Sequence, residues 1–202
     1  MTKIKLCGLK RMCDVEWANE LLPDYIGFVF AAKSKRYVTP EQASELKACL
    51  HPKVKAVGVF VNEAPERIAE LCKNGIIDVV QLHGNEDEAY IGQLRMLTGA
   101  PVIQAFQVAA ERDVVRAGAS SAEFVLLDSG GGTGTVFDWE LLKSMKRPYF
   151  LAGGLTLQNV GEALMLLRPY GVDASSSLET DGVKDKEKMT DFVRAVRNRK
   201  EG

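Results

Sequence analysis

The chain has 202 residues, of which 46% are hydrophobic and 26% are charged, and its formal net charge is −1. This composition is typical of a globular protein and excludes a disordered or low-complexity chain. The balance of 26 basic and 27 acidic side chains excludes the basic surface that nucleic-acid-binding proteins need.

The N-terminus and the cysteine usage predict a cytoplasmic protein. Residues 1–6 are not followed by the apolar core of a signal peptide. The longest apolar run, residues 25–32, is much shorter than the roughly 20 residues of a membrane span. Four cysteines without a CxxC pair and only two histidines disfavour a disulfide framework and a zinc site. We therefore expect no membrane and no nucleic-acid partner.

Short apolar runs rich in Val, Ile, Leu and Phe alternate with helical patterns along the chain. Runs such as residues 26–30 and 57–61 are apolar on both faces, which is typical of parallel strands covered by helices. The runs begin near Lys3, Asp24, Val54, Asp78, Pro101, Glu123, Pro148 and Gly171.

Helix start and stop signals lie between these runs. Thr39 is a predicted N-cap, with Pro40 at the first helical position and Gln42 completing a capping box. Pro65 opens the next predicted helix, and Gly75 lies just past its end. Further N-caps are expected at Asp138, before a helical segment over residues 139–145, and at Thr156. The last helix is expected to run from about Asp185.

Eight β/α units predict the α/β class and one compact (β/α)8 barrel, a TIM barrel, over residues 1–202. An open doubly wound sheet is the alternative. Eight units are many for such a sheet, and the sequence contains no dinucleotide-binding fingerprint. No linker or change in composition indicates a second domain.

In such barrels the active site lies at the carboxyl ends of the strands. Side-chain alternation predicts that Lys5 and Cys7 of the first strand point into the barrel, as does Asp128 at the end of the sixth. Gln81 and His83 share one face of the fourth strand.

Three side chains at this mouth are candidates for chemistry. Cys7 is a possible base or nucleophile, or else an inert buried cysteine. Asp128 is a possible proton donor, or else a loop-capping aspartate. Arg36 is a possible bidentate partner of a substrate carboxylate, or else a solvated loop arginine. His83 is more typical of a hydrogen-bonded wall residue than of a catalyst.

The residues of two predicted loops indicate a phosphate-binding site. Gly153 and Gly154 follow the seventh strand, and the serines Ser175, Ser176 and Ser177 follow the eighth. Barrels often bind phosphate with these two loops. The alternative is a glycine turn and a serine cap. The glycine run of residues 130–134 matches no nucleotide fingerprint and is either a mobile lid or a plain flexible loop.

An ordered set of motifs resembles the phosphoribosylanthranilate isomerase family across essentially the whole chain. The residues that carry the resemblance are 5–9, 27–30, 34–38, 57–62, 80–84, 131–134, 137–139, 151–155 and 171–173. The resemblance implies an Amadori rearrangement in tryptophan biosynthesis, the third step from chorismate, with a small-molecule substrate and neither cofactor nor metal.

The resemblance also implies residue roles. Cys7 is the general base and Asp128 the general acid, and Arg36 holds the anthranilate carboxylate. We infer that Lys5 favours the Cys7 thiolate. The remaining substrate-binding residues that it implies are His83, Gly132, Gly153, Gly154, Asp173, Ser175 and Ser176.

Three alternatives remain open at this point. The histidine-pathway isomerase typically pairs two aspartates, and Cys7 in place of the first argues against it. A metal-dependent epimerase would need more histidines than the two present. A non-catalytic protein that binds a phosphorylated ligand is the third. Monomer and homodimer are both compatible with the sequence.

Three positions depart from the family pattern, which usually has threonine at Lys10, proline at Lys35 and glycine at Ser177. Ser177 lies in the expected phosphate loop. If the backbone there needed a positive φ, a serine would cost about 1 kcal/mol or more.

Overall fold

A computed structural model describes residues 1–128 and 139–198. Eight parallel strands form a closed barrel in which each strand pairs with the next along the chain and β8 pairs with β1. The strands are β1 Lys3–Cys7, β2 Tyr25–Val29, β3 Lys55–Phe60, β4 Val79–Leu82, β5 Val102–Gln107, β6 Phe124–Asp128, β7 Tyr149–Ala152 and β8 Gly171–Ala174. Every predicted run starts within one residue of its strand, so the barrel prediction is confirmed.

Helices connect the strands on the outside of the barrel. They are α1 Met12–Leu21, α2 Pro40–Ala48, α3 Pro65–Lys73, α4 Glu88–Leu97, α5 Glu111–Ala119, α6 Val160–Leu167 and α7 Lys186–Arg197. The described connection from β6 to β7 contains a 3₁₀ helix, Trp139–Ser144, instead of an α-helix. None of the helices in the described part of the chain is long and apolar enough to cross a membrane.

The capping predictions agree with the structure in most places. Thr39 and Gln42 form the capping box of α2, and Pro65 is the first residue of α3. The last helix begins at Lys186, one residue after its expected start, and Asp185 accepts hydrogen bonds from two of its backbone N–H groups. The prediction for Thr156 is wrong, because α6 begins four residues later. The backbone N–H of Thr156 donates to Asn159 Oδ1, and this interaction holds a separate turn before the helix. The predicted cap Asp138 lies outside the described residues.

Side-chain alternation separates two apolar cores. Ile4 and Leu6 of β1 pack outward in the large cluster between the barrel and the helices, whereas Cys7 packs inward. Aromatic rings fill the amino-terminal end of the barrel, where Phe150 makes edge contacts with Tyr25 and Phe124. The carboxyl end of the barrel holds the polar side chains that form the candidate site.

A two-stranded hairpin follows β8 and leads into α7. It consists of β9 Glu179–Thr180 and β10 Val183–Lys184, and Glu179 lies opposite Lys184 in its register. The turn residues Asp181 and Gly182 both have positive φ, of 52° and 77°. Two such residues form the tight turn that matches the twist of a hairpin.

Loss of the α2 capping box should lower stability measurably. In Thr39→Ala the hydroxyl that accepts from the Gln42 N–H at 3.2 Å disappears. We expect the free energy of unfolding in urea to fall by about 1 kcal/mol. Glu45→Ala, at an exposed position of the same helix, is the control and should change stability by less than about 0.5 kcal/mol. Equal stability of the two variants would contradict the capping role.

Candidate active site

Cys7 ends β1 with its side chain turned into the barrel. Its neighbours there are Val29 and Val59, and 8% of the residue is exposed. Gly27 lies beside it in register on β2, and a Cβ on Gly27 would stand 2.6 Å from the Cys7 sulfur. A side chain on this neighbour would therefore displace the thiol.

A buried ion pair lies beside Cys7. Lys5 Nζ donates to Asp173 Oδ2 at 2.8 Å, and the Lys5 side chain is completely buried. The two residues face each other in register across β1 and β8. The other carboxylate oxygen, Asp173 Oδ1, is buried and has no hydrogen-bond partner among the described residues. It is thus an acceptor that a ligand donor can satisfy.

Opposing effects act on the Cys7 thiol. Burial raises its pKa above the ordinary value, and the Asp173 carboxylate raises it further, whereas the Lys5 and Lys184 ammonium groups lower it. The pKa is raised on balance. Lys5 thus favours the thiolate as inferred from the sequence, but burial has the larger effect.

Asp128 ends β6 and lies beside His83. The distance from His83 Nε2 to Asp128 Oδ2 is 3.6 Å. Gln81 and His83 share a face of β4 as predicted, with Gln81 Nε2 3.0 Å from His83 Nδ1. This contact orients the imidazole ring, with its Nε2 atom towards Asp128.

Asp173 connects the Cys7 and Asp128 sides of the barrel mouth. Burial raises the pKa of Asp173, the Lys5 ammonium opposes this shift, and the negative charge of Asp128 adds to it. Asp173 also acts on the Cys7 thiol, so its charge influences both groups. Both side chains point inward, as their strand alternation predicted.

Arg36 is half-buried, and part of its guanidinium group is already in use. Its Nε and Nη2 atoms donate to the two carboxylate oxygens of Glu179 at 2.6 and 2.7 Å. Gly8, with φ of +83°, gives the side chain room, because a Cβ there would overlap Arg36 Cδ. The guanidinium is therefore fixed beside the end of β1.

Glu179 and Lys184 are the residues of this site that sequence reasoning missed. Lys184 Nζ is buried and donates to Glu179 Oε1 at 2.5 Å and to the Ser175 carbonyl oxygen at 2.9 Å. Although burial opposes the shift, hydrogen bonds from Arg36 and Lys184 lower the pKa of Glu179 to about 2. The Asp181-Gly182 dipeptide between them is a strong hairpin signal and would have indicated that the two face each other.

The two predicted phosphate loops lie at the ends of β7 and β8. Gly153 and Gly154 both have positive φ, of 80° and 63°. Ser175 Oγ donates to the Cys7 carbonyl oxygen at 3.0 Å, and the Ser175 hydroxyl proton is therefore already in use. Ser176 is exposed. Ser177 is not among the described residues with positive φ, so the strain anticipated for a serine there is absent.

Gly132 and the glycine run 130–134 lie outside the described residues. Near Asp128 the described residues border a cavity of about 990 Å³, whose wall includes Val61, His83 and Phe106. This volume is in the range of small-molecule sites, roughly 300–1,000 Å³. Within residues 1–128 and 139–198 no group of three or more His, Cys, Asp or Glu side chains could hold a metal ion.

Sequence comparison gives matches over nearly the whole chain. Residues 4–195 match the family model described as N-(5'-phosphoribosyl)anthranilate isomerase. The N-(5'-phosphoribosyl)anthranilate isomerase of Endomicrobium trichonymphae is 45% identical, over 98% of this chain and 100% of that protein. The enzyme of the same name from Caldanaerobacter subterraneus is 43% identical, over 98% of both chains.

Solved structures give the same result. The phosphoribosyl anthranilate isomerase of Thermotoga maritima superimposes with a TM-score of 0.90 at 37% identity, over 98% of this chain and 100% of that one. A second structure of such an isomerase, in complex with reduced 1-(o-carboxyphenylamino)-1-deoxyribulose 5-phosphate, has a TM-score of 0.88 at 36% identity, with the same coverage.

The balance of effects on Cys7 predicts its reactivity. Because burial raises the pKa of the thiol, its alkylation rate with iodoacetamide should have a pH midpoint above that of free cysteine, about 8.5. Peptide mass spectrometry of samples alkylated over a pH series measures this midpoint, with free cysteine in the same buffers as the reference. A midpoint below that of free cysteine would mean that the two lysines outweigh burial.

Proposed function

The chain belongs to the N-(5'-phosphoribosyl)anthranilate isomerase family, and we propose that Cys7 and Asp128 are the base and the acid of its reaction. It is an isomerase of tryptophan biosynthesis. It catalyses the Amadori rearrangement of N-(5'-phosphoribosyl)anthranilate, an aminoaldose, to the ketose 1-(o-carboxyphenylamino)-1-deoxyribulose 5-phosphate.

The proposed mechanism has two proton transfers. Asp128 donates a proton to the furanose ring oxygen, and the C1–O bond breaks to give an open-chain iminium ion. The Cys7 thiolate then removes the proton from C2, and the electrons of that bond neutralise the iminium nitrogen. The resulting enolamine tautomerises to the ketone. The substrate itself provides the electron sink, so these steps require only a base and an acid.

The observation that carries this proposal is that Cys7 at the end of β1 packs inward and Asp128 at the end of β6 lines the cavity at the barrel mouth. The Asp173 carboxylate, which is in contact with Lys5, interacts electrostatically with both groups. The raised pKa of Cys7 also suits the order of the steps. A nearby cation favours a thiolate. Ring opening creates such a cation next to Cys7, so the base is favoured when it is needed.

The substrate-binding roles follow from the same surroundings. Arg36 binds the anthranilate carboxylate with the N–H groups that Glu179 leaves open. The unpartnered Asp173 Oδ1 supports acceptance of a substrate hydroxyl, and His83 contacts the substrate beside Asp128.

For the phosphate, the glycines Gly153 and Gly154 offer backbone N–H groups, and Ser176 offers an exposed hydroxyl. Because the Ser175 hydroxyl donates to the Cys7 carbonyl, Ser175 contributes through its backbone N–H. Gly132 completes the proposed substrate site. We place the enzyme in the cytoplasm, working as one barrel domain.

Removal of either proton-transfer group should abolish most turnover. General acid–base groups typically contribute 10²–10⁴-fold, so Cys7→Ser and Asp128→Asn should each lower kcat at least ~100-fold with the fold intact. Fluorescence-monitored turnover of phosphoribosylanthranilate generated in situ measures this. Cys49→Ser and Asp191→Asn, at exposed positions, are matched controls. Near-wild-type kcat in either site variant would remove the role assigned to that residue.

Loss of the Arg36 charge should act on binding. Arg36→Met removes charge-assisted hydrogen bonds of about 1.5–3 kcal/mol, so KM should rise roughly 10–100-fold while kcat falls much less. Arg67→Met, at a position whose side chain is 68% exposed, is the control. An unchanged KM in Arg36→Met would exclude the carboxylate contact.

A further inference from the structure

We propose that Lys184 determines the preference of the site for a carboxylate-bearing substrate, by supplying the charge that lets Arg36 bind a second carboxylate beside Glu179. This inference rests on the proposed role of Arg36. It assigns a function to two residues of the β9–β10 hairpin that take no direct part in the proton transfers.

The guanidinium group has room for a second partner. Glu179 accepts from Arg36 Nε and Nη2, so two of the five N–H donors of the group are in use. The remaining donors are both N–H groups of Nη1 and one of Nη2. This pair of nitrogens forms the other face on which a guanidinium binds a carboxylate bidentately. The Arg36 side chain is 29% exposed, so a ligand can reach its guanidinium group.

Charge is the obstacle to such binding. One guanidinium between two carboxylates has a net charge of −1, which is unfavourable where water is partly excluded. Lys184 removes this obstacle, because its ammonium group contacts Glu179 Oε1 at 2.5 Å. Arg36, Lys184 and Glu179 together have a net charge of +1, which a bound substrate carboxylate neutralises.

The fold holds the ammonium group at this place. Hairpin register sets Lys184 opposite Glu179, and its side chain is 1% exposed. The Lys184 carbonyl oxygen accepts from Arg11 Nη2 at 2.6 Å, and its Nζ donates to the Ser175 carbonyl. These contacts keep the ammonium group buried, so its charge acts on Glu179 and on the ligand that Arg36 binds.

Calorimetric titration with two ligands tests the proposal. One is reduced 1-(o-carboxyphenylamino)-1-deoxyribulose 5-phosphate, and the other is the same molecule with its aromatic carboxylate converted to a carboxamide. The measured quantity is the carboxylate preference, the Kd of the carboxamide divided by the Kd of the carboxylate. A purely structural role of Lys184 would change both Kd values together and would leave this ratio constant.

Lys184→Met should lower the carboxylate preference about 10-fold or more, as expected for loss of a charged partner. The double variant Lys184→Met/Glu179→Gln regains the net charge of +1 and should regain much of the preference. It also lacks the carboxylate that the single variant would leave short of a cation, so it separates the effect of net charge from that of the Lys184 side chain. Lys184→Gln, whose amide can still donate to Glu179 but has no charge, provides the test if Lys184→Met does not fold, and should lose the preference to the same extent. Lys186→Met, at an exposed ion pair with Glu20, is the matched control.

An unchanged preference in Lys184→Met, or a double variant with no more preference than Arg36→Met, would overturn the proposal. Arg36→Met measured in parallel separates this failure from failure of the proposed function. If Arg36→Met keeps the carboxylate preference, the role of Arg36 itself is wrong. If it loses the preference and Lys184→Met does not, only the inference about Lys184 fails.

Discussion

The buried ion pair between Lys5 and Asp173 is the interaction on which the candidate site depends. It joins β1 to β8, the seam at which the barrel closes, and the Lys5 side chain is cut off from solvent. Burial of two ions costs several kcal/mol each, and apolar side chains of similar volume would fill the barrel at least as stably. The pair is therefore best explained by its effect on neighbouring groups, which are Cys7 on one side and Asp128 on the other.

The same principle of shared charge recurs at the rim of the barrel. Glu179 lies between Arg36 and Lys184, so each buried or half-buried charge there has an opposite charge in contact. Lys184 also binds the loop of Ser175, whose hydroxyl contacts the Cys7 backbone. Hydrogen bonds thus connect the proposed carboxylate contact, the proposed phosphate loop and the proposed base. Displacement of one of them would therefore displace the others.

Local patterns were sufficient for the strands but not for all the loops. Each strand start was predictable because an apolar run bounded by turn residues can be recognised from residues that are adjacent in the sequence. The cap of α6 was mispredicted because Thr156 and Asn159 are both good capping residues, and the choice between them depends on how the preceding loop turns. The described β6–β7 connection contains a 3₁₀ helix, a form that the sequence pattern does not distinguish from an α-helix.

The sequence by itself determined the barrel, the inward direction of Lys5, Cys7 and Asp128, and the family resemblance, because strand alternation and motif order are encoded locally. The tertiary structure alone decided which charges meet. Lys5 and Asp173 are 168 residues apart, and Arg36 and Glu179 are 143 apart. Such pairs form only when the barrel closes and the hairpin takes its register, and no pattern of neighbouring residues specifies either contact. Whether burial or the lysines dominate at Cys7 was decided in the same way, by the depth at which the folded chain holds the thiol.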